Sequence, residues 1–240
     1  MKKISCIIPV LNEENISEVL DVVDSSGLID EIILVNDGSD QRFDDIYKAA
    51  LFDKKNSYYL HLKNNIGKTK AVLRGAKKAK HPLLLLLDGD LKNLTKNHLK
   101  KLVEPVQKDL TDMTIGVLKK NQNNSEWTQF AQQTMPFLSG QRCMKKEVLQ
   151  KLDELKIDDQ GYGLEILLTM MEKTKMIKKP LTINLTGVSQ YVKEKKMGIS
   201  EGTKRRIKMY GQIGLAALLF IKIFSRLKSK PPKDAKQESS

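Results

Sequence analysis

A chain of 240 residues with 40% hydrophobic content can enclose a core of its own and is too apolar for a disordered protein. Its net charge of +13 is uneven: residues 193–240 hold 13 basic and 4 acidic side chains, or +9, and the rest is mildly basic. Such an end suits an anionic membrane surface or simple solubility, and 5% aromatic content offers little for stacking bases, so nucleic acid is not expected as a partner. Cys6 and Cys143 lie far apart without metal-site spacing. Cys6 falls in an apolar strand pattern and is expected to be a buried, reduced thiol, in keeping with a reducing compartment. The opening Met1-Lys2-Lys3 is basic, but Pro9 and Asn12 break the apolar stretch behind it, so no signal peptide is expected there.

In chain order, residues 4–10 read as an apolar strand and 14–25 as an amphipathic helix. A second strand at 31–35 precedes a helix around 43–52. A third, less apolar strand at 58–62 precedes a helix over 68–80, closed by His81-Pro82. Five leucines from Leu83 form a strand buried on both faces, followed by a helix around 96–107. This alternation predicts an α/β fold with a mostly parallel sheet and helices on both faces. The second half is less regular. A strand is expected at 113–118, loop plus helix over 121–137, helices at 145–155 and 163–173, and an alternating strand at 181–185.

Residues 204–230 place Lys204, Arg205, Lys208, Gln212, Lys222, Arg226 and Lys230 on one side of a helix, with an apolar middle too short for a span of about 20 residues. Two states suit it: a helix in the bilayer interface with its cations toward lipid headgroups, or one packed on the domain or a partner. From Pro231 the composition predicts a disordered tail.

The chemistry is expected where the strands end. Leu83–Leu87 runs into Asp88-Gly89-Asp90. Side chains two apart on an extended chain share a face, so both carboxylates can address one Mg2+ or Mn2+ ion and, through it, a phosphate. Gly89 is expected to leave room for the ligand. Asp-Gly is also a common turn pair. Earlier strands end in Pro9, Asn12, Glu13 and Glu14, then Asn36–Asp40, then Asn64–Lys68. Each alone is ordinary turn or cap chemistry. Together they line one rim of a parallel sheet, where a nucleotide binds.

The segments ISCIIPVLNEE, EIILVNDGSD, NNIGKTKAVLRGA and LLLLLDGD resemble the successive motifs of family 2 glycosyltransferases with the GT-A (Rossmann-like) fold. Polyprenyl-phosphate sugar synthases and glucosyl-3-phosphoglycerate synthases are the nearest types. The resemblance is distinct over residues 4–92 and fades toward 190. It implies that Pro9, Asn12 and Glu14 line the base and ribose pocket and that Asp37 hydrogen-bonds base or ribose. Gly67 would admit the nucleotide and Lys68 would lie beside it. Asp88 and Asp90 would be the metal pair, with Mg2+ or Mn2+ as cofactor. Polyprenyl-type members commonly carry a further glutamine ligand two residues on; here Lys92 stands there, and no histidine follows His98.

Two later segments also carry polar groups suited to a ligand. Ser139-Gly140-Gln141-Arg142, read as preceding a helix, would offer amides and a guanidinium to an anion, so Gln141 and Arg142 are expected on the acceptor side. Glu165 follows Gly161-Tyr162-Gly163 in the first turn of a helix, where it can accept a proton or simply favour the helix dipole. Asp158 and Asp159 are alternative bases.

These readings predict a GT-A domain over 1–192, a basic and apolar helical extension over 193–230 and a tail over 231–240, as a hexosyltransferase. It would move sugar from a UDP- or GDP-sugar to a lipid-linked, polyprenyl-phosphate-type acceptor. Its place would be the cytoplasmic, inner face of the cell membrane, peripherally bound to the anionic surface. The alternatives are a soluble transferase for a small phosphorylated acceptor such as a phosphoglycerate, and a non-catalytic nucleotide-sugar-binding protein.

Overall fold

The computed structural model describes residues 1–119, 139–154 and 163–191, all in the first of the chain's two units, Met1–Lys195. The expectations for 121–137, for Asp158 and Asp159, and for everything from 193 onward fall outside the described residues.

Four strands, β1 (Ile4–Val10), β2 (Glu31–Asp37), β3 (Ser57–Leu62) and β4 (Leu83–Leu86), alternate with α1 (Ile16–Ser25), α2 (Gln41–Leu51) and α3 (Lys68–Lys78). Then come β5 (Leu91–Lys92), α4 (Lys96–Gln107), β6 (Met113–Lys119), β7 (Arg142–Lys145), α5 (Lys146–Glu154), α6 (Leu164–Lys173), β8 (Leu181–Thr186) and β9 (Ser189–Gln190). Among the described residues, seven strands form one sheet in the order β3-β2-β1-β4-β7-β6-β8, the mostly parallel, helix-flanked sheet of the GT-A fold. The first four run parallel, β7 runs antiparallel to both β4 and β6, and β8 runs parallel to β6. Strands β5 and β9 form a separate antiparallel ribbon.

The order explains where a ligand fits. The chain steps outward from β1 to β2 to β3, then returns to the other side of β1 as β4. The loops leaving β1 and β4 therefore diverge and open a crevice at their carboxyl ends. All residues of β2 and β4 are buried, as parallel strands covered on both faces must be. Both cysteines are buried free thiols that flank Leu85 in register, one strand to either side. Burial pushes both upward, Cys143 to about 12.

The predicted elements differ from the observed ones mainly around residue 142. Residues 142–145 form a strand inside the sheet, with Leu86 opposite Arg142 and Leu83 opposite Lys145. A four-residue strand carries too little periodicity to show in the sequence. Because it is antiparallel to β4, its first residues, and Gly140 and Gln141 before them, lie at the same rim where β4 ends. Among the described residues, no helix is long and apolar enough to cross a membrane.

Helix α2 is tied to β3 through Asp44, a buried carboxylate 2.6 Å from Lys48 Nζ and 2.7 Å from His61 Nδ1 that also accepts the Tyr59 hydroxyl. Lys48, then Tyr59, hold its pKa well below the usual carboxylate range, against the opposing pull of burial. A depressed carboxylate stabilises the fold above its unfolded pKa of about 3.9, and that contribution fades as pH falls through the folded value. Asp44→Asn is expected to cost about 1–3 kcal/mol at pH 7 and progressively less toward pH 2. Urea unfolding of both proteins at several pH values checks this; a gap that stays constant into acid refutes the assignment.

Candidate active site

A cleft of about 420 Å³ opens at the carboxyl ends of β1, β2 and β4, lined among others by Pro9, Asp37, Gly67, Lys68, Asp88 and Asp90. Its volume lies within the usual range for a small-molecule site. The loop after β2 builds one wall. Both Asp37 oxygens accept backbone N–H groups from the next loop, Ile66 at 2.8 Å and Gly67 at 3.0 Å. Burial nonetheless raises the Asp37 pKa, with those two bonds opposing it. Gly38, at φ +75°, lies so close to the backbone of Asn64 and Asn65 that a Cβ there would collide with both. Asp37 is thus first a brace for the Asn64–Lys68 loop, with only its remaining lone pairs open to any further donor.

The charged centre combines three distant stretches. Lys68, in the first turn of α3, places Nζ 2.8 Å from Asp88 Oδ1 and 3.1 Å from Glu165 Oε1 on α6. The crowding of protein around this ammonium works to discharge it even though 43% of the side chain stays accessible to water, but the Asp88 and Glu165 carboxylates outweigh that and hold its pKa above the ordinary lysine value. Lys68 is therefore a fixed cation throughout the neutral range. The other oxygen of Asp88 accepts Gln141 Nε2 at 2.7 Å, and Gln141 Oε1 lies 2.7 Å from the Ser139 hydroxyl, whose one proton is shared with the Gly116 carbonyl. A Cβ on Gly140 would sit 2.5 Å from Lys68 Nζ and 2.7 Å from Asp88 Oδ1. The missing side chain is what lets this loop close over the lysine and the carboxylate.

Asp90 is joined from the β5–β9 ribbon. Gln190 Nε2 lies 3.1 Å from Asp88 Oδ2 and 3.3 Å from Asp90 Oδ1, and Tyr191 N donates to the Asp90 carbonyl at 2.8 Å. One amide nitrogen reaching both carboxylates shows that they converge, although β4 ends at Leu86 and Gly89-Asp90 form a turn, so a turn and not the face of an extended strand brings them together. Lys92 is turned away: its Nζ lies 3.6 Å from the centroid of the Tyr191 ring, and the Tyr191 hydroxyl bonds Glu18.

The structure gathers Pro9, Asp37, Gly67, Lys68, Asp88, Asp90 and Glu165 around one cleft. Asn12 and Glu14 are placed differently from expectation. Asn12, at φ +54°, staples the loops after β1 and β2 by accepting Asp40 N at 2.9 Å, while its own N–H bonds the Ser39 hydroxyl at 3.0 Å. Glu14 is exposed, 3.6 Å from Arg42, and Glu13 lines the cleft instead. Arg142 does not grip an acceptor. It is 1% exposed, with Nε donating to the Ser139 carbonyl at 2.9 Å and Nη1 meeting Met113 Sδ at 3.6 Å. Burial lowers its pKa to about 10, against the fields of Glu165 and Glu172, so it stays charged inside the protein. Gln141, also 1% exposed, braces Asp88 and does not face an acceptor. Gly89 likewise makes room for packing: a Cβ there would meet Val10 Cγ1 at 2.7 Å and Ile16 Cδ1 at 3.2 Å. Asp159 lies outside the described residues.

Gln190 escaped the sequence reading because a two-residue strand has no periodicity. Among the described residues no three His, Cys, Asp or Glu side chains cluster as a metal site. Two convergent carboxylates with amide groups around them are nonetheless hard oxygen donors, which suit Mg2+ or Mn2+ with water and phosphate completing the shell.

Comparison with known proteins bears on this cleft. The family model described as glycosyl transferase family 2 matches residues 5–162. Undecaprenyl-phosphate 4-deoxy-4-formamido-L-arabinose transferase of Pectobacterium atrosepticum is 30% identical over 141 residues, 56% of this chain and 42% of that protein. The protein of that name from Pseudomonas paraeruginosa is 31% identical over 130 residues, 52% of this chain and 38% of that one. The chain thus spans about two fifths of the length of these curated relatives. Among solved structures, glucosyl-3-phosphoglycerate synthase of Mycobacterium tuberculosis in complex with phosphoglyceric acid superposes with a TM-score of 0.67 at 19% identity, covering 90% of this chain and 80% of that one. The same enzyme with Mn2+, UDP and glucosyl-3-phosphoglycerate gives a TM-score of 0.65 at 19% identity and the same coverage. With Mg2+ and UDP it gives 0.65 at 20% identity, covering 91% of this chain and 79% of that one.

Proposed function

From the premise that this chain belongs to glycosyl transferase family 2, we propose that it transfers a sugar from a UDP- or GDP-sugar to a phosphorylated acceptor carried by a lipid. The observation that carries this is the Lys68–Asp88–Glu165 cluster beside Asp90 at the switch point of the sheet. It joins a fixed cation, a pair of carboxylates and a separate carboxylate in one cleft.

Asp88 and Asp90 would hold Mg2+ or Mn2+, which when bound neutralises diphosphate charge and eases departure of the nucleoside diphosphate. Lys68 brings a second positive charge to the same phosphates, and Asp37 and Gly67 shape the wall beside them. Glu165 shares the Lys68 ammonium at 3.1 Å, a contact that suits it to orienting a hydroxyl of the sugar. A phosphate acceptor is already ionised near neutral pH and needs no strong base. The names of the curated relatives favour an undecaprenyl-phosphate-type lipid. The basic stretch after residue 193 favours an anionic membrane surface on the cytoplasmic side.

A second possibility is a small phosphorylated acceptor such as phosphoglyceric acid, which the M. tuberculosis enzyme of like fold holds in its complex. One experiment addresses donor and acceptor in turn. Thermal unfolding with each UDP- and GDP-sugar plus Mn2+ is expected to show one strong stabiliser, adding about 2.7 kcal/mol at a hundredfold excess over its Kd. That donor is then offered polyprenyl phosphate in anionic vesicles or free 3-phosphoglycerate. Sugar appearing in the lipid phase supports the proposal; sugar on phosphoglycerate alone transfers the case to the second acceptor. Binding without transfer to either, or to water, leaves a nucleotide-sugar-binding protein.

A further inference from the structure

We propose that Gln190 is the third protein ligand of the cation, bound through its amide oxygen; this rests on the reading of Asp88 and Asp90 as the carboxylates that hold the ion. Gln190 Nε2 stands 3.1 Å from one carboxylate and 3.3 Å from the other, so the end of this side chain already occupies the angle between them. Gln141 also touches Asp88, but the two glutamines differ. Gln141 is 1% exposed, its Oε1 beside the Ser139 hydroxyl and its Nε2 on Asp88, so burial with a neighbour at each end of the amide holds it as a donor. Among the described residues nothing engages Gln190 Oε1, so its amide can turn.

The N–H groups of Gln190 suit two carboxylates and oppose a divalent cation lying between the same oxygens. A half-turn about the last side-chain bond exchanges nitrogen and oxygen without moving anything else. It presents a carbonyl oxygen, a ligand that Mg2+ and Mn2+ accept beside carboxylates. The backbone on either side is held for this. Gln190 pairs with Leu91 and Ser189 with Lys92, Tyr191 N bonds the Asp90 carbonyl, and the Tyr191 ring is clasped between Lys92 and Glu18. Lys92, whose charge would repel the ion, is kept away by the same clasp.

The test is Mn2+ alone titrated into the full chain, with free ion counted by electron paramagnetic resonance. Parent, Gln190→Ala, Gln190→His, Asp88→Asn and Asp90→Asn are compared, with thermal unfolding as a check of folding. Loss of an outer partner typically weakens a metal site about 10–100-fold, and loss of a ligand should do no less, so Gln190→Ala is expected to weaken Mn2+ by about tenfold or more. In Gln190→His the imidazole should add a directly bonded nitrogen coupling to the pulsed spectrum of bound Mn2+, which a residue outside the coordination shell cannot do. If Gln190→Ala binds like the parent while the aspartate variants do not, Gln190 is no ligand and the carboxylate reading survives. Bound Mn2+ without the new coupling in Gln190→His has the same meaning. If the aspartate variants also bind like the parent, the cation reading fails and this proposal falls with it.

Discussion

Asp88→Asn is expected to lower Mn2+-dependent turnover of the nucleotide-sugar donor about a hundredfold or more, because about 3 kcal/mol of transition-state charge stabilisation depends on this carboxylate. The substitution keeps the size of the side chain, and Gln141 Nε2 can still donate to its remaining oxygen, so the fold should persist. What is lost is the negative charge that faces Lys68 at 2.8 Å and converges with Asp90 through Gln190. Raising Mn2+ should recover part of the rate if the defect is in ion binding. A variant that keeps parental turnover at every Mn2+ concentration refutes the assignment of the site. A parent that binds donor yet never turns it over, with or without Mn2+, points to the binding-protein alternative.

Gly140→Ala is expected to reduce turnover by about 10²-fold, the penalty typical of a displacement near 1 Å at a reacting centre, while thermal stability changes little. Gly140 is not among the glycines at positive φ, so alanine is conformationally acceptable and the effect is one of space. Its new methyl group would stand 2.5 Å from Lys68 Nζ and within 2.8 Å of both Asp88 oxygens. Lys68 is half exposed and can swing away, but Asp88 is held by Gln141 and Gln190, so the ion pair must open or the carboxylate must turn. Inserting a methylene usually costs about 1–3 kcal/mol in a closed core, and the open cleft places this change at the low end. Steady-state rates and melting temperatures measured together separate a misplaced centre from a damaged fold. An alanine variant as active as the parent shows that the close approach of Gly140 is irrelevant to the chemistry.

The first half of the chain was legible residue by residue because its structure is local. Alternating apolar strands and amphipathic helices, with polar residues at each strand end, follow from periodicities that survive in one dimension. Helix 96–107 agrees to the residue, and the expected end of helix 68–80 differs by two, the chain leaving the helix at Ala79 ahead of the His81-Pro82 pair. The family resemblance, too, lay in those strand ends, and the family model extends well past the segment where the motifs are distinct. The role of Arg142 was not legible. A guanidinium after Ser-Gly-Gln looks like an anion grip. Its actual place depends on whether residues 142–145 begin a helix or join the sheet beside β4, and no neighbouring residue specifies that.

Periodicity along the chain was enough for the α/β alternation, the parallel core and the gathering of the segments that carry Asp37, Lys68, Asp88 and Asp90 at one edge, since each segment follows the carboxyl end of a parallel strand. Long-range packing alone makes Gln141 and Gln190 brace the carboxylates, ties Lys92 to Tyr191 and buries Arg142. The contacts of Gln141 and Gln190 with Asp88 join residues 53 and 102 positions apart. An antiparallel strand slipped in beside β4 and a two-residue ribbon bring them together, and elements that short leave no period in the sequence from which to infer their partners.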